Sequence, residues 1–387
     1  MKIGPLLKKL GIRFLILFLL FLGAMSIVNC SGQRSLRAEL RRWEQAGLML
    51  DVERDADDPA WRAAEAAYVE LIDSEALEML VDGPLREAAQ RGEALRVTAE
   101  LRQRIADAAA APGPVPVPQA DDPEAQMAYR LHALGLGRAF ARVLDGAART
   151  QAAEGDATAA AATLRAMIAL GERVGADATL AAHQARLRID EITLDALHAI
   201  HADPGFDILA ALRADLEAVD HAGAFADMLR GEARLMFAWM RQQQDVLITR
   251  GWWQHDVRYM LEQQRALIEP LQSGTPLREI EIVTDEDAHP WWAQSVDIAL
   301  PMLENARVST IRAAARRNQA LVAARLRDHR RATGAYPATL DAVLPAGGDA
   351  ALLDPHTGEP FRYERTDGGF VLTSDVEGEP IRWGWER

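Results

Sequence analysis

Two histidines and an aspartate share one face of a predicted helix over residues 178–202. Asp195, His198 and His201 follow one another at intervals of three residues, so their side chains lie on neighbouring turns. Carboxylate and imidazole groups at this spacing bind a metal, or act as acid and base, when other helices supply further ligands. No other predicted helix carries the same motif. We expect a structural role, since the carboxyl end of a helix favours histidine by itself, with metal or acid–base function as the alternative.

Two pairs of adjacent tryptophans are the next candidates for chemistry. Adjacent helical residues point about 100° apart, so the two members of one pair cannot both face the same core. One interpretation is an aromatic platform for a sugar or peptide, and the favoured one is a packing plug against the irregular segment 273–290. A short strand is predicted inside that segment, at Leu277, Ile280 and Ile282. The pairs and their nearby histidines are Trp252, Trp253, Trp291, Trp292, His255 and His289.

No other catalytic motif is present in the sequence. It contains no Gly-x-Ser-x-Gly, no phosphate loop, no His-Glu-x-x-His and no glycine-rich dinucleotide fingerprint. The 387 residues include 57 acidic and 43 basic ones, for a net charge of -14. A body with this charge repels phosphate, so no nucleic-acid partner is expected.

The amino-terminal segment is the most apolar part of the chain. Residues 14–28 carry no charge and follow Lys8, Lys9 and Arg13. Fifteen helical residues span roughly 22 Å of a ~30 Å hydrocarbon core, and the flanking residues extend them. We predict a retained single-pass anchor over residues 1–33, because no Ala-x-Ala site closes the apolar run.

Two alternatives to a retained anchor stay open. One is a cleaved signal peptide, which would leave a secreted protein. The other is a lipid on Cys30, since residues 27–30 are similar to a bacterial lipobox in which Asn29 replaces a small residue. All three interpretations export the body. We therefore expect a bacterial inner-membrane protein whose body lies on the extracytoplasmic side.

The body is predicted to be an irregular array of α-helical hairpins. A first stalk helix continues the anchor, and three later helices begin at an Asp-Pro pair, in which Asp accepts amide hydrogens and Pro needs no donor. These pairs are Asp58-Pro59, Asp122-Pro123 and Asp203-Pro204. The apolar residues behind them predict three buried faces: Trp61, Ala64, Tyr68 and Leu71; Met127, Leu131 and Leu134; Phe206, Leu209, Leu212, Leu216 and Val219.

Further helices are predicted at 84–110, 157–175, 178–202, 222–249, 256–272 and 298–332. Residues 112–118 alternate Pro with Gly or Val, which favours an extended linker over 112–121. The linker separates a membrane-proximal segment, 34–111, from a helical body, 122–297. A long helix and a small module make up the last unit, 298–387.

The final 55 residues change from helical periodicity to turns and short apolar runs. Residues 361–363 and 370–372, on either side of Asp367-Gly368-Gly369, predict a β-hairpin in a small antiparallel sheet. The turn residues that frame this module are Tyr336, Pro337, Asp354, Pro355, Gly358, Pro360 and Tyr363.

This ending resembles the carboxyl-terminal module of the major pseudopilins of bacterial type II secretion. The shared features are a long helix, a Gly-x-Tyr-Pro turn and an Asp-Pro-x-Gly-x-Pro-x-x-Tyr approach to the first strand. The whole chain resembles uncharacterised membrane-anchored α-helical envelope proteins with the same ending. The amino terminus lacks the prepilin cleavage site and its following glutamate, so the chain is not itself a pilin.

The resemblance implies a calcium site and a cellular setting. Some pseudopilins bind calcium in the terminal loop, and Asp375, Glu377 and Glu379 offer the hard oxygen ligands that calcium prefers. Val376 stands where that loop has glycine, so a solvated acidic hairpin edge is the favoured alternative, and no other cofactor is expected. The implied setting is a secretion or pilus-like apparatus.

We therefore expect a mainly α protein with an amino-terminal transmembrane helix, an irregular helical array and a small antiparallel β module. The expected function is that of a non-catalytic envelope interaction or scaffold protein, which binds a protein partner or a second copy. The alternative is an envelope hydrolase, or a carbohydrate- or peptide-binding protein, with a Trp- and His-lined cleft in the helical body.

Overall fold

The computed structural model describes residues 28, 31–48, 58–73, 99–117, 123–201, 208–242, 250–285, 289–290, 293–344, 349–376 and 378–385. Of the predicted anchor over residues 1–33, only residues 28 and 31–33 fall within these ranges, and Cys30 lies outside them. Within them, no helix combines the length and the apolar character that crossing a membrane requires.

The described chain is mainly helical, with a small antiparallel sheet at its end, as the sequence predicts. The predicted helix over 157–175 is confirmed residue for residue. In chain order the helices are α1 (31–45), α2 (Pro59–Asp73), α3 (Ala99–Ala110), α4 (Pro123–Ala153), α5 (Ala157–Gly175), α6 (Leu180–His201), α7 (Ile208–Ala218), α8 (His221–Gln242), α9 (Arg250–Gln272) and α10 (Gln294–Thr333).

The Asp-Pro start of α2 works as predicted. One carboxylate oxygen of Asp58 accepts hydrogen bonds from the backbone amides of Ala60, at 2.9 Å, and Trp61, at 3.0 Å. These amides have no partner inside the helix, so Asp58 is a true amino-terminal cap. α4 likewise begins at Pro123, whereas the third Asp-Pro pair lies outside the described residues.

The sheet contains three antiparallel strands in the order β1 (Arg362–Arg365), β2 (Phe370–Val376) and β3 (Glu379–Trp385). The predicted hairpin is confirmed as β1 and β2, in which Tyr363 pairs with Leu372. β3 was not predicted, because its sequence contains Pro380 and Gly384, and both residue types are weak strand signals. It pairs with β2 along seven residues, from Val376 opposite Glu379 onward.

Two hydrophobic cores organise the helices, and α10 belongs to both. The first core contains residues of the six helices α2 through α7, of the later half of α10 and of the carboxyl-terminal module. The second core joins α1, α8, α9 and the early half of α10. A helix of 40 residues is about 60 Å long, enough to run through both cores. The cores therefore cut across the predicted units 34–111, 122–297 and 298–387.

The predicted buried face of α4 is wrong at two of its three positions. Leu134 is buried, but Met127 and Leu131 are exposed. The side chain of Val174, in the last turn of α5, lies where a Cβ on Gly137 would be, and α5 ends one residue later. The first turns of α4 therefore extend past α5, and their apolar side chains meet solvent.

Two irregular segments also differ from expectation. Residues 111–117 have no regular secondary structure, yet Val115 and Val117 are buried in the first core, so the segment is packed rather than a free spacer. The predicted strand at 277–282 is a 3-10 turn, Leu277–Glu279, followed by extended chain. Its Leu277 carbonyl accepts a hydrogen bond from Arg307 of α10, at 3.2 Å, instead of pairing with a strand.

Candidate functional site

The residues predicted as metal ligands on α6 contact three different places in the fold. Asp195 forms an ion pair with Arg316 of α10. The Nε2 atom of His198 lies 3.1 Å from the Gly384 carbonyl oxygen of β3, and its ring centre is 4.9 Å from that of Trp383. Both side chains therefore hold neighbouring elements against α6.

His201 is fully buried at the end of α6. Burial, together with the nearby Arg327 and His198, lowers the pKa of its imidazole to about 2. The Arg327 guanidinium donates a hydrogen bond to the His201 carbonyl, at 3.0 Å, and so closes the last turn of the helix. Across the described ranges, no three His, Cys, Asp or Glu residues are grouped so that they could hold a metal.

Other buried charges of the helical body form pairs between helices. Arg130 of α4 lies 2.9 Å from Asp177, and both side chains are almost fully buried. Arg173 of α5 pairs with Asp58, the cap of α2, and its guanidinium stacks on the Trp61 ring at 5.3 Å. Each pair joins segments distant in sequence, and burial keeps each away from a substrate.

A polar cluster that sequence reasoning missed lies between the two cores. His183 of α6 reaches Thr310 of α10, with 2.7 Å between Nε2 and Oγ1, and its ring packs on Phe225 of α8. Its neighbour His221 lies 3.3 Å from Asp190. Burial is the main cause that lowers the pKa of His183, to about 3. At 2% exposure His183 cannot meet a substrate, so the cluster is structural.

Described residues next to the two tryptophan pairs come together near the amino-terminal ends of α9 and α10. The Asp256 carboxylate accepts hydrogen bonds from the Ser295 hydroxyl, at 2.6 Å, and from its amide, at 3.2 Å. Tyr259 and His289 are also joined, with 3.2 Å between Oη and Nδ1. Each tryptophan pair precedes one member of the Asp256–Ser295 contact by three and four residues.

The exposure of these tryptophans is known for the first pair. Trp253 is 42% exposed and Trp252 is half-buried, so this pair is not simply a buried plug. Trp291 and Trp292 lie outside the described residues. His255, which follows the first pair, is half-buried, and burial is the main cause that lowers its pKa. The aromatic platform therefore remains a hypothesis with one exposed ring in its support.

An exposed apolar strip on α10 is the second feature that the sequence did not single out. Ile298 is 71% exposed and Met302 is 45% exposed, one turn apart on the same face. The inward positions on the same part of the helix, Val296, Leu300 and Leu303, are buried in the second core. We call the outward set the α10 stripe: Gln294, Asp297, Ile298, Pro301, Met302, Asn305 and Ser309.

The residues that frame the carboxyl-terminal module have architectural contacts. The Tyr363 hydroxyl donates to the Pro337 carbonyl, at 2.8 Å, and the Tyr336 ring packs edge-on against Phe370. Asp354 starts a tight turn in which the Gly358 amide donates to its carbonyl, at 2.7 Å. Pro355 is the second residue of that turn and Pro360 follows it, and Gly358 takes a left-handed φ of +79°.

Two of the three residues predicted to bind calcium, Asp375 at the end of β2 and Glu379 at the start of β3, lie on either side of the connection between these strands. Asp375 is exposed and pairs in register with Pro380. Gly378, in the turn, has a φ of +80°, which favours glycine. Glu377 and the side chain of Glu379 lie outside the described residues, so calcium binding stays a prediction.

No protein-family model, curated protein or solved structure matches this chain. Chemically, the amino-terminal ends of α9 and α10 offer an exposed indole, an apolar helix face and the carboxylate of Asp297. This combination suits contact with another macromolecule better than bond-breaking chemistry.

Proposed function

We propose that this protein is a non-catalytic interaction or scaffold protein of the bacterial envelope, anchored in the inner membrane with its body outside the cytoplasm. The observation that carries the proposal is the α10 stripe. Ile298 exposes more of its side chain than any other large hydrophobic residue described, on a helix whose opposite face is fully packed. A rigid, exposed apolar face of this kind marks a binding surface.

The contacts of the polar residues on α6 support a binding role. Asp195 and His198 pair with other elements, and His183 and His201 are buried beyond the reach of a substrate. Catalysis by the two buried histidines would require that they be accessible as an acid, a base or a metal ligand. Their contacts instead hold helices together, which serves a scaffold.

The link between the amino-terminal segment and the body also supports an anchored scaffold. α1 follows the apolar segment directly and packs into the second core through Trp43, which is 1% exposed. The Arg265 guanidinium of α9 donates to the buried Glu39 carboxylate of α1, at 2.7 Å. We call Trp253 of α9 together with the α10 stripe the α9 and α10 surface. A membrane anchor preceding α1 would therefore hold this surface at a defined height and orientation.

The test is cross-linking of the full-length protein in its native membranes, followed by identification of what is attached. A specific protein attached to the α9 and α10 surface is the expected result, and a component of a secretion or pilus-like apparatus would support that setting. If no position on the protein surface cross-links to any protein, including a second copy, the scaffold proposal is wrong. Fractionation of the same cells tests the membrane location.

A second candidate function is binding of a carbohydrate or peptide at the tryptophan segments. The exposed ring of Trp253 favours it, because an exposed indole stacks well on sugar rings. Soluble peptidoglycan fragments titrated against tryptophan fluorescence provide the test. A saturable change that disappears in Trp253→Ala would support this candidate, and an unchanged spectrum would exclude it for these ligands.

A further inference from the structure

The α10 stripe is long enough to receive a partner helix. Its outward positions run from Gln294 to Ser309, a length of about 22 Å along the axis. Ile298 and Met302 are one turn apart, with the exposed Pro301 between them. Apolar side chains repeating every three or four residues on another helix would meet these three in register. Met302 adds an adaptable contact, because its side chain is unbranched.

The charge around the stripe is negative. Asp297 lies in the first turn of α10, and no arginine or lysine of the described ranges forms an ion pair with it. The pKa of the nearby Asp256 is raised mainly by burial, and the negative charge of Asp297 raises it further. The stripe itself contains no basic residue. Arg307, beside it on α10, is held by both carboxylate oxygens of Glu304, at 2.5 and 2.7 Å.

The segment that leads into α10 adds to this negative charge. Burial alternates along residues 280–283: Ile280 and Ile282 are buried, and Glu281 and Val283 are exposed. Residues 277–309 contain seven carboxylates and two arginines, and one of those arginines, Arg278, pairs with Glu279. Along the sequence, the stretch that contains the exposed apolar positions therefore carries an excess of acid.

We propose that the α10 stripe binds a cationic amphipathic helix of a partner protein. The inference rests on the proposed function and names the chemical class of its partner. Leucine-like side chains on the partner pack on Ile298, Pro301 and Met302, and lysine or arginine at the edge of its apolar face reaches Asp297. Attraction between opposite charges aligns the two helices and speeds their encounter.

The same charge argues against the other occupants of an apolar helix face. An anionic lipid surface is repelled by Asp297 and Glu281, whereas lipid-binding helices carry lysine and arginine. A second copy pairing stripe to stripe brings the same uncompensated acids to both sides of the interface. A cationic helix satisfies both the apolar and the acidic parts of the surface.

The first experiment uses the full-length protein in a neutral detergent and a fluorescent 15-residue helical peptide of leucine and lysine. Its controls are a scrambled peptide of the same composition and a leucine–glutamate helix. Saturable binding of the leucine–lysine helix alone is expected, weakening as salt is raised. Equal binding of the scrambled peptide, or no binding of the amphipathic one, overturns the proposal.

Matched variants connect that binding to the stripe. Ile298→Ser combined with Met302→Ser is expected to weaken binding about tenfold or more, because the central apolar contacts are removed. Leu131→Ser removes a comparably exposed side chain on α4 and is expected to change nothing. Asp297→Asn is expected to weaken binding at low salt and to reduce its salt dependence. The proposal is contradicted if Leu131→Ser weakens peptide binding as much as the double variant does, or if the double variant binds the peptide as well as the wild-type protein.

A photo-crosslinker at position 302 identifies the natural occupant in native membranes. The expected product is a peptide from another protein, basic and amphipathic in helical register. Attachment to lipid, to a second copy, or to an acidic segment contradicts this inference. Attachment to an acidic segment of another protein would contradict the cationic-helix proposal but would still support the scaffold proposal. The two proposals therefore fail in different ways.

Discussion

The Nε2 atom of His183 lies 2.7 Å from the Oγ1 atom of Thr310, and this hydrogen bond joins the first core to the second. The Thr310 hydroxyl donates its only hydrogen to the Ala306 carbonyl of its own helix, at 2.6 Å. It must therefore accept from His183, whose Nε2 carries a hydrogen. A buried, neutral histidine thus connects α6 to α10.

Lowering the pH below about 6.5, the ordinary histidine pKa, is expected to reduce the free energy of unfolding. Burial lowers the pKa of His183 to about 3 and that of His201 to about 2, and it lowers the pKa of His221 as well. The unfolded chain then binds more protons than the folded one. Each such histidine removes about 1.4 kcal/mol per pH unit between its two pKa values. Urea unfolding between pH 7.5 and 5 measures the loss.

The variant His183→Gln isolates one of these histidines. Glutamine keeps an N–H donor for Thr310 but does not titrate, so stability is expected to fall less steeply with pH, by about 1.4 kcal/mol per pH unit. Buried carboxyls such as Asp256, whose pKa is raised mainly by burial, oppose the histidine effect equally in both proteins. An unchanged slope would show that His183 is protonated in the folded state.

Replacing Gln319 by Leu is expected to loosen the carboxyl-terminal sheet. The buried Gln319 amide donates to the Ile381 carbonyl, at 3.0 Å, and to the Leu372 carbonyl, at 3.4 Å, so it ties α10 to β3 and β2. Loss of a buried hydrogen-bond donor costs about 1–3 kcal/mol. Hydrogen exchange should quicken at β2 and β3 but not at α4, and exchange that quickens everywhere alike contradicts this role. Asn305→Ala, on the exposed stripe, is the control.

Two glycine-to-alanine variants are expected to shift stability in opposite directions. A Cβ on Gly231 would lie 1.6 Å from the Ala178 carbonyl oxygen, so α8 must move away in Gly231→Ala. This movement is expected to lower the free energy of unfolding by about 1–3 kcal/mol. Gly146, inside α4, has open space at that position, and alanine should stabilise the helix by about 0.5–1 kcal/mol. Thermal melting of both proteins measures the difference. A Gly231→Ala protein as stable as the Gly146→Ala protein would refute the close approach.

The buried pair Asp58 and Arg173 is expected to be sensitive to the loss of one charge. Asp58→Asn keeps a good helix cap but leaves the Arg173 guanidinium buried without its counter-charge, which costs about 3–5 kcal/mol. Asp58→Ala should cost about 1 kcal/mol more, because the cap is lost as well. Denaturant unfolding separates the two variants. Equal stability of the Asp58→Asn and wild-type proteins would mean that the pair contributes nothing.

Local patterns predicted much of the fold. The helix over 157–175, the Asp58 cap and the β1–β2 hairpin depend on periodicity and on residues within a few positions of one another. Met127 and Leu131 show the limit of such patterns. Their spacing indicates an apolar face, but only the end of α5 at Gly175 decides that no neighbouring helix covers it.

The candidate site was predicted in part. The sequence singled out the tryptophan pairs, and the Asp256–Ser295 contact brings their two segments together. It did not single out Ile298 or Met302, because α10 crosses two cores and its apolar residues therefore follow more than one face. A rule that expects one buried stripe per helix misses an exposed one on such a helix.

The sequence by itself determined the helical class, the terminal sheet, the negative charge and the apolar amino-terminal segment, because composition and short-range spacing decide these properties. Tertiary structure alone decided which polar residues are buried and which apolar ones are exposed. His183 and Thr310 are 127 residues apart, and Asp58 and Arg173 are 115 apart. Burial depends on which distant elements pack together, and no local pattern specifies that choice.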